Sequence, residues 1–309
     1  MKFAGTALRW ILTAGLLTVA LKQAEPSEWI PVFARVSWLW FAGAALCMAG
    51  IVLINSFKWK ILLDAQGCHP GFLRIFYHYA VGYFFNSFIT GTGDIKRAAS
   101  MGAEQNNIPK VTASVLAERW TGVLGQLGLA FCTISAFTLK NQSIWPIAIG
   151  AAIVVFGLAA VYFWFENYDR EIPVHSKGIV ALISRIRSAM SVYKGKRKIW
   201  WICMALSFAG PLLLVVIHIL LAKSLAIPGS AWAMLILIPT VSVFAQLPIT
   251  INGFGLQDYF MIMLFRNTLM PAEAIALSIA FHALRLGVGA TGGLIFAFCP
   301  NLGLKHDKK

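Results

Sequence analysis

Residues 84–100, FFNSFITGTGDIKRAAS, run from a strongly apolar stretch directly into glycines and charges. The GTG glycines are followed at once by Asp94, Lys96 and Arg97, with no hydrophilic loop between. Charges are costly in an apolar setting unless they face a polar interior, pair with one another or contact a ligand. The stretch therefore predicts a break in an apolar helix that serves a purpose beyond packing.

The composition is that of an integral membrane protein. Hydrophobic residues make up 59% and charged residues 12% of the chain, too few polar groups for a solvated surface around a soluble core. A helix crosses a hydrocarbon core of roughly 30 Å with about 20 apolar residues. The apolar runs are residues 5–21, 32–57, 72–90, 111–138, 144–165, 199–222, 231–250 and 274–298. We expect an all-α, polytopic protein with a single membrane domain over residues 1–309.

Charge and cysteine content exclude several other classes. The net charge of +14 is typical of cytoplasmic loops and of contact with anionic lipid, so no nucleic-acid partner is expected. Five cysteines, mostly inside apolar runs, indicate neither a disulfide framework nor a metal site, and no cofactor is expected. The basic N-terminus and residues 18–20 (TVA) resemble a cleaved signal peptide, but the repeat described below requires that this helix be retained.

Basic loops predict the topology. The interval 166–198 holds eight Lys/Arg against three acids, so it should be cytoplasmic, as should both termini and the loop 58–74 with Lys58, Lys60 and Arg74. If every run crossed the membrane, the two loops would lie on opposite sides. The two loops lie on the same side of the membrane if residues 72–90 enter the membrane, break at the glycines and return to the side they came from. Residues 231–250 must then do the same from the opposite side.

This arrangement predicts six full spans and two re-entrant hairpins, with eight plain spans as the alternative. Each half is then two spans, a hairpin and a span, starting from opposite sides, which is an inverted-topology repeat over residues 1–140 and 144–300. The segments FITGTGD (88–94) and PITINGF (248–254) share Ile-Thr and a glycine at matching places. Chance similarity between apolar segments is the alternative.

Four charged places could carry function. Asp94, Lys96 and Arg97 follow the first break; Glu118 and Arg119 lie inside the run 111–138. Asp258 follows the second break, and Arg285 lies inside the last run. The alternative is that they only form inter-helix ion pairs, such as Glu118 with Arg285 or Asp94 with Arg119. Glu118 and Arg119 are adjacent and point to different helix faces.

The spacing of several glycines predicts close packing between helices. These glycines are Gly122, Gly125, Gly128, Gly289 and Gly293.

The ordered motifs resemble a known family. Asn86 with GTGDIKR, then AERW (117–120), LPITINGFGLQD (247–258) and Arg285 in the last span are similar to the lysylphosphatidylglycerol synthase transmembrane-region family, also called the flippase-like domain family. The resemblance covers nearly the whole chain. Residues 250–252 depart from the family's usual Pro and Gly, and Asp258 replaces its usual Glu. The aminoacyl-transfer domain of the synthases is expected to be absent.

The resemblance implies a flippase or transporter for a phosphate-bearing lipid, such as an aminoacyl-phospholipid, glycolipid or polyprenyl-linked lipid, in the bacterial cytoplasmic membrane. Its expected partners are a membrane lipid with an anionic head group and a lipid or glycan synthase. Basic residues would hold the phosphate, and the carboxylates would orient them, receive a cationic head group or carry a proton. The predicted lipid-binding residues are Asn86, Asp94, Lys96, Arg97, Glu118, Arg119, Asn252, Gly253, Gly255, Asp258 and Arg285.

Two other functions remain open from the sequence. One is a membrane-embedded transferase with Asp94 or Glu118 as general base, although the sequence has no nucleophile beside a base and its histidines are scattered. The other is a scaffold for a lipid or glycan synthase. We expect no enzymatic activity and assign no catalytic residue.

Overall fold

The computed structural model describes residues 2–23, 25–88, 91–140, 188–229, 231–246 and 249–299. Within these ranges the regular elements are all helices and there is no strand, which confirms the all-α class. The predicted span 144–165 and most of the basic interval 166–198 lie outside the described residues, as does the C-terminal tail. The helices are α1 (Lys2–Lys22), α2 (Pro26–Trp29), a 3₁₀ helix (Ile30–Arg35), α3 (Trp38–Ala65), α4 (Phe72–Phe88), α5 (Thr92–Glu104), α6 (Ile108–Lys140), α7 (Arg197–Ser224), α8 (Ala231–Ala245), α9 (Leu256–Phe265) and α10 (Pro271–Phe298).

Three of the described helices, α3, α7 and α10, are long and apolar enough to cross a membrane. Shorter apolar helical segments are Trp10–Lys22, α8 and α9. Helices satisfy their own backbone hydrogen bonds, which lipid cannot do for them. The structure therefore agrees with an integral membrane protein, while the number of full spans stays a prediction.

The run 72–90 forms one arm of a helical hairpin. The arm α4 ends at Phe88, and α5 returns along it as the second arm. The arms are antiparallel, because His78 near the start of α4 bonds Glu104 at the end of α5 (2.7 Å), while Gly82 packs directly on Gly93. The sequence correctly predicted a helix break here; insertion of the hairpin into a membrane stays a prediction.

The run 231–250 forms a second hairpin. The first arm, α8, ends at Ala245, and the return arm, α9, begins after Gly253 and Gly255, whose φ angles are +79° and +78°. Phe244 and Phe260 stack between the arms with ring centroids 4.1 Å apart. These positive φ angles favour glycine, so the glycines at the second break are conformational requirements.

One end of the bundle, here called the basic end, contains the turn 66–71, the turn 105–107 and residues 188–196. Tyr193 donates a hydrogen bond to the carbonyl of Leu62 (2.9 Å), and Lys196 donates to that of Ala65 (2.8 Å). Residues 102–110 and 188–192 line a shared cavity. Both arms of the first hairpin therefore end at the basic end, together with the described part of the loop 166–198.

The opposite end of the bundle contains residues 225–229 and 266–270. Ser37, just before α3, and Ser224, the last residue of α7, exchange two hydrogen bonds of 2.8 and 3.0 Å there. A Cβ on Gly229 would lie 4.0 Å from Leu269, so α8 starts where α9 ends. The two hairpins thus enter the bundle from opposite ends.

The helices pack in the same pattern in both halves. The central contact joins α3 to α7; α4 packs on α10 as α8 packs on α6; and each return arm, α5 or α9, packs on the next helix, α6 or α10. The inverted repeat and its boundaries stay a prediction, since the counterpart of α1 would lie in residues 144–165.

Glycines bring these helices close together, as predicted for four of them. A Cβ on Gly125 would lie 2.5 Å from the carbonyl oxygen of Ser207, and one on Gly128 would lie 2.8 Å from the ring of Phe208. Gly289 and Gly293 crowd the side chains of α4 in the same way. Gly292, which was not predicted to be a packing glycine, packs directly on the backbone of Ala80.

Replacing Gly292 by alanine should strongly destabilise the protein, because the added methyl group meets the Ala80 backbone, which cannot move aside like a side chain. Overpacking typically costs roughly 1–3 kcal/mol, and a backbone clash lies at the upper end. Gly287→Ala, on the same helix with open space around it, is the matched control and should leave stability unchanged or raised. Thermal unfolding of the two variants in detergent would contradict the packing if both lost the same stability.

Cysteine labelling tests the arrangement of the ends. In a variant without the five native cysteines, Ala103→Cys and Ser188→Cys should react with an impermeant maleimide from one face of oriented vesicles, and Arg266→Cys from the other. All three positions are exposed, so the labelling side depends only on topology. Labelling of positions 103 and 188 from opposite faces would rule out the first hairpin as a re-entrant element.

Candidate functional site

The turn that begins α5 is held by Asn86. Its side-chain oxygen accepts hydrogen bonds from the backbone N–H groups of Gly91 (3.0 Å) and Gly93 (2.9 Å). Gly91 has a φ of +91°, and Gly93 leaves no room for a Cβ against Gly82. Asn86 therefore shapes the break and fixes where Asp94, the third residue of α5, presents its carboxylate.

Asp94 bridges two arginines from two helices. One oxygen accepts a hydrogen bond of 3.1 Å from Nε of Arg97, one turn further along α5. Nη2 of Arg119, in α6, lies 2.7 Å from the other oxygen. The side chain of Arg97 is only 2% exposed, whereas that of Arg119 is 48% exposed. Asp94 thus ties the return arm of the hairpin to α6 and leaves part of Arg119 accessible.

Glu118 holds two buried cations from two other helices. Arg97 lies 2.5 Å from one of its oxygens, and Lys58 lies 3.3 Å from the other. Lys58 also donates a hydrogen bond of 3.1 Å to the hydroxyl of Ser207 in α7. The sequence placed Lys58 in the loop 58–74, which was wrong: α3 continues to Ala65, and Lys58 is 1% exposed inside it.

Aromatic rings complete the surroundings of Arg97. Its guanidinium carbon lies 5.0 Å from the ring of Trp59 and 4.7 Å from that of Tyr79, within cation–π range. Its Nη1 is buried and has no hydrogen-bond partner among the described residues. Lys96 points elsewhere, 5.5 Å from the ring of Phe296 in α10, and has no carboxylate partner in the described part of the chain.

The two breaks meet inside the bundle. Asn252, with a φ of +52°, donates a hydrogen bond from its side chain to the carbonyl of Ser87 (3.2 Å), beside Asn86. The neighbouring N–H of Ile251 donates to the hydroxyl of Thr13 in α1 (2.9 Å). Contact between the loops brings the polar backbone of both hairpins to one place, although their charged side chains form separate clusters.

Asp258 and Arg285 form the second cluster, together with two residues that the sequence analysis missed. Asp258, the third residue of α9, accepts the N–H of Gly255 (2.8 Å), the hydroxyl of Ser278 and the ring N–H of His282 (3.1 Å). Arg285 donates to the carbonyl of Asn252 (2.7 Å) and to Nδ1 of His282 (3.1 Å). His282 therefore links the acid to the arginine.

The pairing hypotheses have mixed outcomes. Asp94 and Arg119 form the ion pair that was considered, and Glu118 and Arg119 have different partners, as their adjacency implied. An ion pair of Glu118 with Arg285 was wrong, because Glu118 is already shared between Lys58 and Arg97. Gly253 and Gly255 shape the second break and also crowd their neighbours: a Cβ on Gly255 would lie 2.8 Å from α1.

A helical bundle with helices long and apolar enough to cross a membrane is the architecture of an integral membrane protein. The sequence agrees with a defined family of such domains: residues 6–293 match the Lysylphosphatidylglycerol synthase TM region, and the chain belongs to this family. No curated protein matched the chain. The family predicted from the motifs is confirmed.

Glu118→Gln should destabilise the protein by roughly 3–5 kcal/mol, because it leaves Lys58 and Arg97 buried without their shared carboxylate. The double variant Lys58→Met/Glu118→Gln should recover part of this loss, since one of the uncompensated cations is removed. Unfolding in mixed micelles measures both effects. Glu273→Gln, at a partly buried position where the side chain caps α10, should cost far less. Equal losses for Glu118→Gln and Glu273→Gln would contradict the buried network.

Proposed function

We propose that this protein binds a phosphate-bearing lipid and moves it between the leaflets of the membrane. The observation that carries the proposal is the charge of the first cluster. Three basic side chains (Lys58, Arg97 and Arg119) share two carboxylates (Asp94 and Glu118), which leaves one positive charge in excess. An uncompensated charge at membrane depth is costly, so the excess charge favours a role in binding an anion over a role in stability alone.

The geometry of the two arginines suits a phosphate. Arginine presents a planar fork of N–H donors that can contact two phosphate oxygens at once. Asp94 orients both guanidinium groups, and Glu118 holds that of Arg97. The exposed part of Arg119 provides the contact for an arriving anion, and Nη1 of Arg97 provides a second donor deeper in the protein. Lys96, without a carboxylate partner among the described residues, would attract the phosphate from the side of α10.

The fold supports movement as well as binding. Hairpins that enter from opposite ends and touch through Asn252 and Ser87 are expected where two halves alternately open to the two sides of a membrane. In this interpretation Asn86, Asn252, Gly253 and Gly255 shape the path, while Asp258 and Arg285 belong to its second half. Aminoacyl-phospholipids, glycolipids and polyprenyl-linked lipids all offer the required phosphate.

The basic end supports an orientation of the protein in the membrane, with this end in the cytoplasm. The described basic residues at or beside it include Lys60, Lys110 and Lys196, and positively charged ends of membrane proteins lie in the cytoplasm. We place both chain termini and the opening of the first hairpin on that side, in the cytoplasmic membrane of a bacterium. A lipid or glycan synthase would be the partner that supplies or consumes the lipid.

Two measurements test the function. Native mass spectrometry of the gently purified protein should reveal a co-purifying lipid with a phosphate group. In proteoliposomes, fluorescent phosphatidylglycerol should change leaflet without any chemical change, which thin-layer chromatography of the recovered lipid would verify. A chemically altered lipid would identify a transferase instead, and neither altered nor translocated lipid would favour a scaffold.

Arg119→Lys should slow translocation of fluorescent phosphatidylglycerol by about tenfold, equivalent to roughly 1.4 kcal/mol, because lysine keeps the charge but loses the planar fork. Folding should be little affected, since a lysine can still pair with Asp94. The matched control is Arg266→Lys, an exposed position at the opposite end, which should translocate at the unmodified rate. An unchanged rate for Arg119→Lys would remove Arg119 from the lipid path.

A further inference from the structure

The two halves carry an aspartate and an arginine at corresponding places. Asp94 is the third residue of α5, Asp258 is the third residue of α9, and each helix begins after a glycine with positive φ. In the first half Arg119 contacts its aspartate directly. In the second half His282 lies between Asp258 and Arg285 and bonds both. The histidine is the feature that distinguishes the second pair from the first.

The bonds of His282 define where its proton lies. A guanidinium can only donate, so Nδ1 accepts the hydrogen bond from Arg285 (3.1 Å) and carries a lone pair. Nε2 then carries the proton and donates a hydrogen bond to the carboxylate of Asp258 (3.1 Å). Stacking on Phe254, with ring centroids 4.1 Å apart, keeps the ring in this orientation. His282 is therefore a neutral imidazole with one proton acceptor, occupied by Arg285.

Protonation of His282 and its bond with Arg285 exclude each other. A proton on Nδ1 converts this atom into a donor, which cannot face a guanidinium that also donates. The N–H of Nη2 that faced His282 must then turn away and becomes available to another acceptor, while the second N–H of Nη2 is the one that bonds the carbonyl of Asn252. The Nε of Arg285 is already buried without a partner among the described residues, so the released guanidinium would offer two donors to an anion. Asp258 remains beside the ring and stabilises the imidazolium.

We propose that His282 is a proton-binding site, and that a lipid phosphate which binds Arg285 draws the guanidinium from His282 while one proton moves from solution to Nδ1. The inference rests on the proposed function and adds a proton as its second substrate. No covalent bond of the lipid changes; the proton balances the negative charge that the phosphate brings into the interior.

The surroundings of His282 identify the groups that influence this exchange. Asp258 from α9 favours the charged ring, and Arg285 on its own helix disfavours it until the phosphate binds. His218 from α7 lies near: it stacks on Phe281 at 4.6 Å, and its Nε2 is buried without a partner among the described residues. Tyr83 from α4 donates to the sulfur of Met48 (3.5 Å) and lies close enough to Arg285 to interact with it electrostatically. His218 is thus the alternative proton acceptor that an experiment must separate from His282.

The test measures binding of phosphatidylglycerol to the full-length protein in a neutral detergent between about pH 5.5 and 8, the range in which histidines titrate. Affinity should rise as the pH falls, by up to about tenfold per pH unit for one linked proton. A pH indicator in weakly buffered solution should record proton uptake on binding. Nitrogen NMR of His282 should show an unprotonated Nδ1 before lipid is added and two protonated ring nitrogens afterwards.

Two variants identify which of the two histidines, His282 or His218, takes up the proton. His282→Gln can still bond Asp258 but cannot accept a proton, so it should bind lipid with no pH dependence and no proton uptake. His218→Phe keeps the stack on Phe281 and should behave as the unmodified protein. Lipid binding without proton uptake, or a pH dependence that survives His282→Gln, would overturn the inference and leave the proposed function intact. No binding at any pH would overturn both.

Discussion

Glu118 is the residue on which the interior depends. Its carboxylate is buried in α6 and is shared by Lys58 from α3 and Arg97 from α5, while Lys58 extends the connection to Ser207 in α7. Glu118 thus joins α6 directly to α3 and α5, and Lys58 adds α7 as the fourth helix. A buried cation without a carboxylate costs several kcal/mol, so displacing α3 or α5 from α6 would carry that cost. The first hairpin is fixed by this pairing as much as by the close contact of Gly82 with Gly93.

Much of this architecture could be predicted from the sequence because it rests on local signals. Apolar runs predicted helices, and glycines between an apolar stretch and charges predicted the break after Phe88. Asp94, Arg97, Glu118 and Arg119 were singled out individually, and the structure joins them in one network. The order of the motifs also predicted the family, since order and spacing survive where single residues such as Asp258 depart from the usual pattern.

The residues that were missed depend on contacts between distant parts of the chain. Lys58 follows an apolar run, so the hydropathy pattern predicts that it lies in a loop. The pattern does not show that Glu118 will pair with it inside the bundle. His282 is one histidine in an apolar helix, and only the folding of α9 against α10 brings Asp258 beside it. Pairing within the site could not be predicted for the same reason. Arg285 was a reasonable partner for Glu118 by charge, but they belong to different clusters.

The two halves differ in how their return arms are held. Arg97 and Glu118 form an ion pair between α5 and α6, whereas the corresponding positions of α9 and α10 are occupied by Met261 and Leu284, both in one apolar cluster. Asp258 nevertheless holds the first turn of α9 to α10 through hydrogen bonds with Ser278 and His282. Beyond that turn the contact is apolar, and apolar contact is non-directional, whereas an ion pair is directional. We expect the end of α9 beyond Asp258 to repack more readily than the corresponding part of α5.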